Sequence, residues 1–382
     1  ALGGIPVLSM ASRDWVDEHP DTDLGHAADP GAVLLQIYTS GTTGVPKGVQ
    51  LTLSNLAYTE EGVAAEGLAA DSVVLNALPT FHIAGQGWAI SALIAGAHTI
   101  MVPEFVPGEL VELMESERVT NAFMVPAMLR VLTSLPGIDE RDFSALRMIC
   151  YGASPITPAV LRRSMQVFGC QFAQLYGMTE TSGVTTMLRP EDHDPDGPRE
   201  GLLRSAGLPQ PFTEVRVVDV DSGEVLPADE VGEIQTRSPY ATVGYWNRPA
   251  DTAALYTADG WLRSGDAGYL DADGYLFISD RIKDMVITGG ENVYPVEVEA
   301  VLADHPAVAE VAVIGTPDAK WGEAVTAVVV LRPGAAATEA ELVAFTSGRL
   351  ASYKKPRIVR FVDVLPRNPS GKVLKRELRD VS

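Results

Sequence analysis

Basic residues are scarce in this chain. Against 50 Asp and Glu it carries 29 Lys and Arg, a net charge of −21. That balance excludes a general nucleic-acid binder, which needs a basic footprint to neutralise phosphates. It also excludes a protein held on anionic lipid by charge. Cysteine is scarcer still: Cys150 and Cys170 stand alone, too few for a disulfide framework. They read as core packing in a reducing, cytoplasmic setting. Long apolar runs are missing as well. The longest, Ala327–Leu331, falls far short of the roughly 20 residues a membrane helix needs. The six histidines are scattered without zinc-ligand spacing, and no Ser–His or Cys–His nucleophile pattern or internal repeat is evident.

What is present is enough chain for two or three domains: 382 residues, at about 150 per domain. From Val33 to about Leu188, apolar β-branched runs alternate with amphipathic stretches. A buried strand is expected at Val33–Tyr38. Further strands are expected at Ser72–Ala77, Thr99–Val102, Asn121–Val125, Met148–Tyr151 and Phe172–Tyr176. Helices are expected at Ser54–Glu66, Gly108–Glu117 and Pro158–Phe168. Such alternation predicts an α/β layer with a largely parallel sheet. From Ser205 to Ser279, short strands (Val215–Val218, Glu233–Thr236, Tyr275–Ser279) separated by Asp- and Gly-rich turns predict an antiparallel β region. After Lys283 an α+β pattern follows: a helix near Pro295–Ala303, strands Val308–Ile314 and Val325–Leu331, and a helix near Thr338–Leu350. The charge is uneven too. From Arg349 to Ser382 there are ten Lys or Arg against three Asp or Glu. This basic tail reads as a solvated surface or as part of an anion site such as one for ATP or CoA.

Five segments carry chemistry. Thr39-Ser40-Gly41-Thr42-Thr43-Gly44-Val45-Pro46-Lys47-Gly48 follows an expected strand. Its glycines permit tight turns, and its hydroxyls, backbone N–H groups and Lys47 suit a phosphate chain. It is no Walker A loop, since Lys47 follows Pro46 and Gly48 stands where Ser or Thr belongs. Tyr176-Gly177-Met178-Thr179-Glu180-Thr181 lies just past a strand end, where open α/β sheets bind ligands. Thr179 can donate to a phosphate and Glu180 can hold Mg²⁺. Asp266, in Gly260–Asp266, offers a bidentate acceptor for ribose hydroxyls. Ser279–Asp284, followed by Ile287–Asn292, places charged residues between two apolar strands, as at an exposed joint between domains. Pro366–Lys372 brings a lysine into the basic tail.

Together, in this order and spacing, the five segments resemble the adenylate-forming superfamily of acyl-CoA ligases, peptide-synthetase adenylation domains and firefly-type luciferases. The resemblance runs from about Val33 to the C-terminus. It implies an α/β fold of two domains. Residues 1–283 would be a large AMP-binding N-terminal domain of parallel α/β layers plus an antiparallel β region, incomplete at its start. Residues 284–382 would be a small, mobile α+β C-terminal domain. It implies ATP, Mg²⁺ and CoA as cofactors. By this carry-over Thr39, Ser40, Gly41, Thr42, Thr43, Gly44 and Lys47 bind phosphate, and Thr179 contacts the α-phosphate. Glu180 binds the metal. Gly152, Ala153, Ser154, Tyr176 and Gly177 flank the adenine, and Asp266, with Arg281 nearby, holds the ribose. Lys283 is the hinge, Gly289 and Gly290 line the pantetheine tunnel, and Lys372 is the catalytic lysine of acyl-adenylate formation. His82 belongs to the aromatic-and-His segment beside the acyl carboxylate, with a structural core histidine as its plain alternative.

The implied reaction joins a carboxylate to ATP, giving acyl-AMP and pyrophosphate, and then displaces AMP with a thiol. Repulsion between carboxylate and phosphate is the obstacle, so cations and positioning supply the catalysis. Domain alternation about the hinge would exchange Lys372 for the Gly289-Gly290 segment between steps. Amino-acid-activating relatives place an Asp where this chain reads Phe81-His82, so a substrate ammonium would lack its partner. The apolar surroundings (Ile83, Ala84, Gly85, Gly87 and Trp88, with Met124 and Met178) favour a fatty acid, with aryl acids next. An acyl-AMP ligase serving a carrier protein and a luciferase-type oxygenase are further readings. Family members have well over a hundred residues before the phosphate loop, where this chain has 38. A nucleotide-binding fragment of a longer enzyme is therefore the reading from another class.

Overall fold

The computed structural model describes residues 25, 27, 29–39, 46–57, 59–154, 156–367 and 373–380. Ser40, Gly41, Thr42, Thr43, Gly44 and Lys372 lie outside the described residues.

The chain enters through an antiparallel pair, β1 (Val33–Thr39) and β2 (Lys47–Thr52), with Thr39 opposite Lys47. The two-residue strand Gly244–Tyr245 joins β2 to complete a three-stranded sheet. The sequence pattern suggests a buried strand here, and the structure corrects that. Val33, Leu34 and Tyr38 are exposed, because β1 is the edge of a small antiparallel sheet rather than part of the parallel layer. Helices α1 (Leu53–Ala57) and α2 (Thr59–Ala65) follow, two where the pattern predicts one.

The expected α/β layer is a seven-stranded sheet. Its strands are β3 (Val73–Asn76), β4 (His98–Met101), β5 (Asn121–Met124), β6 (Met148–Gly152), β7 (Gln171–Tyr176), β8 (Thr186–Leu188) and β9 (Leu208–Pro209), in the order β4-β3-β5-β6-β7-β8-β9. The first five are parallel, β8 pairs antiparallel with β7, and β9 antiparallel with β8. Helices α3 (Ile83–Ile94), α4 (Pro107–Ser116), α5 (Pro126–Leu132) and α6 (Pro158–Phe168) connect the parallel strands. Every residue of β5 and β6 is buried, as expected of strands covered on both faces. The main core, with Leu75, Leu129, Ile149, Tyr151 and Phe172, lies on this sheet.

Helix α6 forms where the sequence says it should because both ends are encoded. The Thr157 side chain accepts from the Val160 N–H, Pro158 occupies the first turn, and Gly169 closes the helix at φ 58°. Proline also opens α4, α5 and the helices Pro249–Leu255 and Pro295–Ala303. Trp88 pins α3 to the sheet by donating from Nε1 to the Leu75 carbonyl at 3.0 Å, with its ring edge-on to Phe123.

The antiparallel region is a four-stranded sheet, β10 (Glu214–Val218), β11 (Gly232–Arg237), β13 (Leu262–Leu270) and β14 (Leu276–Arg281), with Gly244–Tyr245 counted as β12. The small C-terminal domain holds a five-stranded sheet: β15 (Val286–Thr288), β16 (Glu291–Val293), β17 (Val308–Asp318), β18 (Gly322–Leu331) and β19 (Ile358–Phe361). The helices Pro295–Ala303 and Glu339–Thr346 cover a core of its own, including Val298, Leu302 and Leu342. The second of these is shorter than the expected Thr338–Leu350. Ser347 is extended and Gly348 has φ 79°, so the backbone leaves the helix although the apolar pattern continues.

Candidate active site

Three predicted segments leave the C-terminal ends of parallel strands. Leu78–His82 follows β3, Gly152–Ser154 ends β6, and Tyr176–Thr181 ends β7. This is the edge at which open α/β sheets bind ligands. Gly177 is required there by space: a Cβ on it would sit 1.9 Å from the Gly183 carbonyl oxygen. The turn after β7 therefore folds back on itself only with glycine.

Asp266 and Arg281 face each other across the β13–β14 ladder. Arg281 Nε lies 2.6 Å from Asp266 Oδ1, and the Tyr176 hydroxyl donates to Oδ2 at 2.7 Å. The structure thus brings Tyr176 of the seven-stranded sheet to Asp266 of the four-stranded sheet, 90 positions away. Burial, and then the Asp266 charge, push the Tyr176 phenol well above its ordinary range, so it stays a neutral donor. Burial opposes the Arg281 charge, but Asp266 first, then Tyr176, Glu180 and Asp284, raise its pKa overall.

Glu180 is buried, in the short 3₁₀ turn Thr179–Thr181. Its Oε1 accepts from the Tyr245 hydroxyl at 2.8 Å, and its backbone carbonyl accepts from the Thr242 N–H. Lys47 reaches the same place from β2. Its ammonium stands 5.0 Å from the Tyr245 ring centre and pairs with Asp251. Tyr245 therefore links Lys47, at the end of the expected phosphate loop, to Glu180. The sequence reading missed it, since a lone tyrosine in a two-residue strand carries no motif. Burial, followed by the nearby Glu180 charge, raises its phenol too. Glu180 is thus a buried carboxylate hydrogen-bonded by a neutral hydroxyl, which suits a Mg²⁺ ion shared with nucleotide phosphates. Asp266 likewise suits ribose hydroxyls. Ala153, at φ 63°, and Ser154 sit in the loop after Gly152.

Next to this edge is a cavity of about 110 Å³. Ala153, Gly177 and Phe123 line it together with Ile83, Ala84, Gly87 and Trp88 of α3. The apolar neighbourhood expected from the sequence is largely confirmed, with two corrections. Met124 is buried in the sheet core, and neither Met124 nor Met178 lines the cavity. Gly85 is packed against the Pro79 carbonyl instead. His82 stands at the N-cap position of α3, half-buried beside the exposed Phe81, and is not among the lining residues. Desolvation lowers its pKa, so it is neutral at neutral pH. Glu66, which no motif marks, does line the cavity.

At the joint, Lys283 is exposed in the turn Ile282–Asp284. Gly289 and Gly290, both at positive φ and exposed, make the turn between β15 and β16. The helix Lys375–Asp380 is held to this region: Lys375 pairs with Glu299 at 2.9 Å and with Asp280 at 3.7 Å, and Arg379 with Asp284 at 3.1 Å. Burial opposes the Lys375 charge, but Glu299 and Asp280 raise its pKa overall.

Known proteins bear the same features. The family profile for AMP-binding enzymes matches residues 6–246, and that for the AMP-binding enzyme C-terminal domain matches residues 297–372. The chain is 44% identical to the fatty acid–[acyl-carrier-protein] ligase ScoC of Streptomyces coeruleorubidus, covering 98% of this chain and 73% of that protein. It is 43% identical to a feruloyl-CoA synthase of an Amycolatopsis species, over 98% and 74% of the two chains. Among solved structures, ATP-bound MatB from Rhodopseudomonas palustris superposes with a TM-score of 0.85 at 36% identity, over 92% of this chain and 68% of that one. Among the described residues no helix is long and apolar enough to cross a membrane. The chain therefore belongs to the AMP-binding enzymes of the adenylate-forming superfamily, in the company of acyl- and aryl-CoA ligases.

Proposed function

We propose that this chain activates a carboxylic acid of compact apolar body with ATP, forming acyl-AMP and pyrophosphate, and passes the acyl group to CoA. The observation that supports this most is the largely apolar cavity lined by Gly177 and Thr181, in the same turn that carries Glu180 and follows Tyr176, the partner of Asp266. Its volume, about 110 Å³, is of the order of cavities that take a single benzene ring, about 150 Å³. That favours a short or medium fatty acid, or one aromatic ring, over a long chain. Lys47, Arg281 and, from the C-terminal tail, Lys372 would bring positive charge to the phosphates. Thr179 would contact the α-phosphate, and neutral His82 would stand beside the acid. Mg²⁺ on Glu180 would supply further charge neutralisation. The domain boundary is placed at Lys283, the exposed turn between β14 and β15, with residues 284–382 rotating between half-reactions. Gly289-Gly290 would then face the thiol arm.

A carrier protein as acceptor is the second reading, favoured by the similarity to a carrier-protein ligase. Incubating a panel of fatty and aryl acids with ATP, Mg²⁺ and either CoA or carrier protein, read by mass spectrometry, tests both. Acyl-CoA from a medium-chain or aryl acid supports the first. Acyl carrier protein with no acyl-CoA supports the second. The absence of any acyl-AMP or thioester contradicts both.

A further inference from the structure

Glu66 is an anomaly in the cavity wall. It lies at the end of α2, only 6% exposed, among Trp88, Phe123 and Ile83. Its backbone is fixed, with its N–H donating to the Gly62 carbonyl at 2.9 Å. The Ser91 hydroxyl hydrogen-bonds its carboxyl, yet Oε2 is buried with no partner among the described residues. Native structures rarely leave such a group unsatisfied, because nothing offsets its desolvation. An apolar residue would serve packing alone better at this position. The cavity lining thus includes a buried carboxyl oxygen without a partner among the described residues, besides the polar side chains of Asn55, Ser91, Thr181, Ser182 and Gln210.

We infer that Glu66 is a specificity residue, which accepts a hydrogen bond from a hydroxyl at the end of the acid remote from the reacting carboxylate. The substrate class is then an apolar carboxylic acid tipped by a hydroxyl, phenolic or aliphatic, rather than a plain hydrocarbon acid. This rests on the reading of the cavity as the acyl site. The surroundings suit a neutral donor. For the Cys150 thiol, the Glu66 charge and then Cys170 add to the effect of burial. Burial above all keeps both thiols protonated. Burial also lifts the Glu66 carboxyl itself to about 7, with Ser91 pulling the other way. A hydroxyl ligand thus meets a group that can accept, and when protonated also donate. A site built to hydrogen-bond a hydroxyl discriminates against the analogue lacking it more sharply than an apolar pocket discriminates one methylene.

The test is calorimetric binding of matched acids to the whole chain, with ATP–pyrophosphate exchange measured in parallel. The pairs are ω-hydroxyoctanoate against octanoate, and para-hydroxyphenylpropanoate against phenylpropanoate. The wild type should prefer the hydroxylated member of at least one pair by about tenfold or more. Glu66→Leu should reverse that order, and the near-isosteric Glu66→Gln should shrink it while keeping the fold. Equal affinity within both pairs, an unchanged preference in Glu66→Leu, tighter binding of an ω-amino acid, or no binding at all would overturn the assignment. Preserved discrimination without pyrophosphate exchange would support Glu66 and remove the ligase reading alone. Exchange with equal use of both members would do the reverse.

Discussion

Burial raises the Glu66 carboxyl from its ordinary 4.5 to about 7, and the shift has a sign in stability. Between those values the folded protein holds the proton more tightly than the unfolded chain does. Stability is therefore lost as pH rises through the window, by about 3 kcal/mol in all. Urea unfolding should show the advantage of Glu66→Gln over wild type growing by about that amount from pH 4.5 to 8. A constant difference would mean that Glu66 is not buried as an acid. Glu180 makes a separate prediction. Glu180→Gln keeps the shape and the Tyr245 bond but loses the charge, so turnover should need several-fold more Mg²⁺. An unchanged Mg²⁺ profile would remove Glu180 from the metal site. Asp266 and Glu180 could be picked out of the sequence because they sit in motifs. Glu66 and Tyr245 could not, since a glutamate at a helix end and a tyrosine in a two-residue strand acquire meaning only from what surrounds them.

Whole elements are more legible than their surroundings. The strands of the parallel layer appear within a residue or two of the expected runs, because apolar residues buried on both faces leave an unbroken signal. Helix α6 matches at both ends because Thr157, Pro158 and Gly169 write its caps. The first strand was legible as a strand but not as an exposed edge, since apolar Val33, Leu34 and Leu35 look alike in either setting. At this scale the turn after β7 is the sharpest test. Gly177→Ala pushes a methyl against the Gly183 carbonyl, so β7 and the Thr179–Thr181 turn must separate. That should cost about 2 kcal/mol or more in stability and raise the KM for ATP more than that for the acid. A thermal midpoint and KM equal to wild type would show that the turn relaxes freely.

For the molecule as a whole, the basic tail read from the sequence proves to be matched in part inside the protein. Arg367 pairs with Glu310, Lys354 with Glu297, Lys375 with Glu299, and Arg379 with Asp284. Glu310 also meets Arg130 of α5, so the same carboxylate joins the C-terminal β17 to the large domain. The positive tail on an acidic body is thus in part the complement of acidic residues on its own joint, a pairing that no count along the chain reveals. If Lys372 serves only the first half-reaction, Lys372→Ala should abolish adenylate formation by at least about a hundredfold. Thioester formation from supplied acyl-AMP should persist. Equal loss of both steps would contradict a role confined to one.

The large-domain site, the joint and the anchored tail converge on one chemical claim, that this chain couples a carboxylic acid to AMP. ATP–pyrophosphate exchange with labelled pyrophosphate measures that step alone, with no thiol present. Exchange should appear only when ATP, Mg²⁺ and a compact apolar acid are all supplied, and should vanish in Lys372→Ala. Exchange that does not depend on the acid, or none with any acid that binds the cavity, would contradict it.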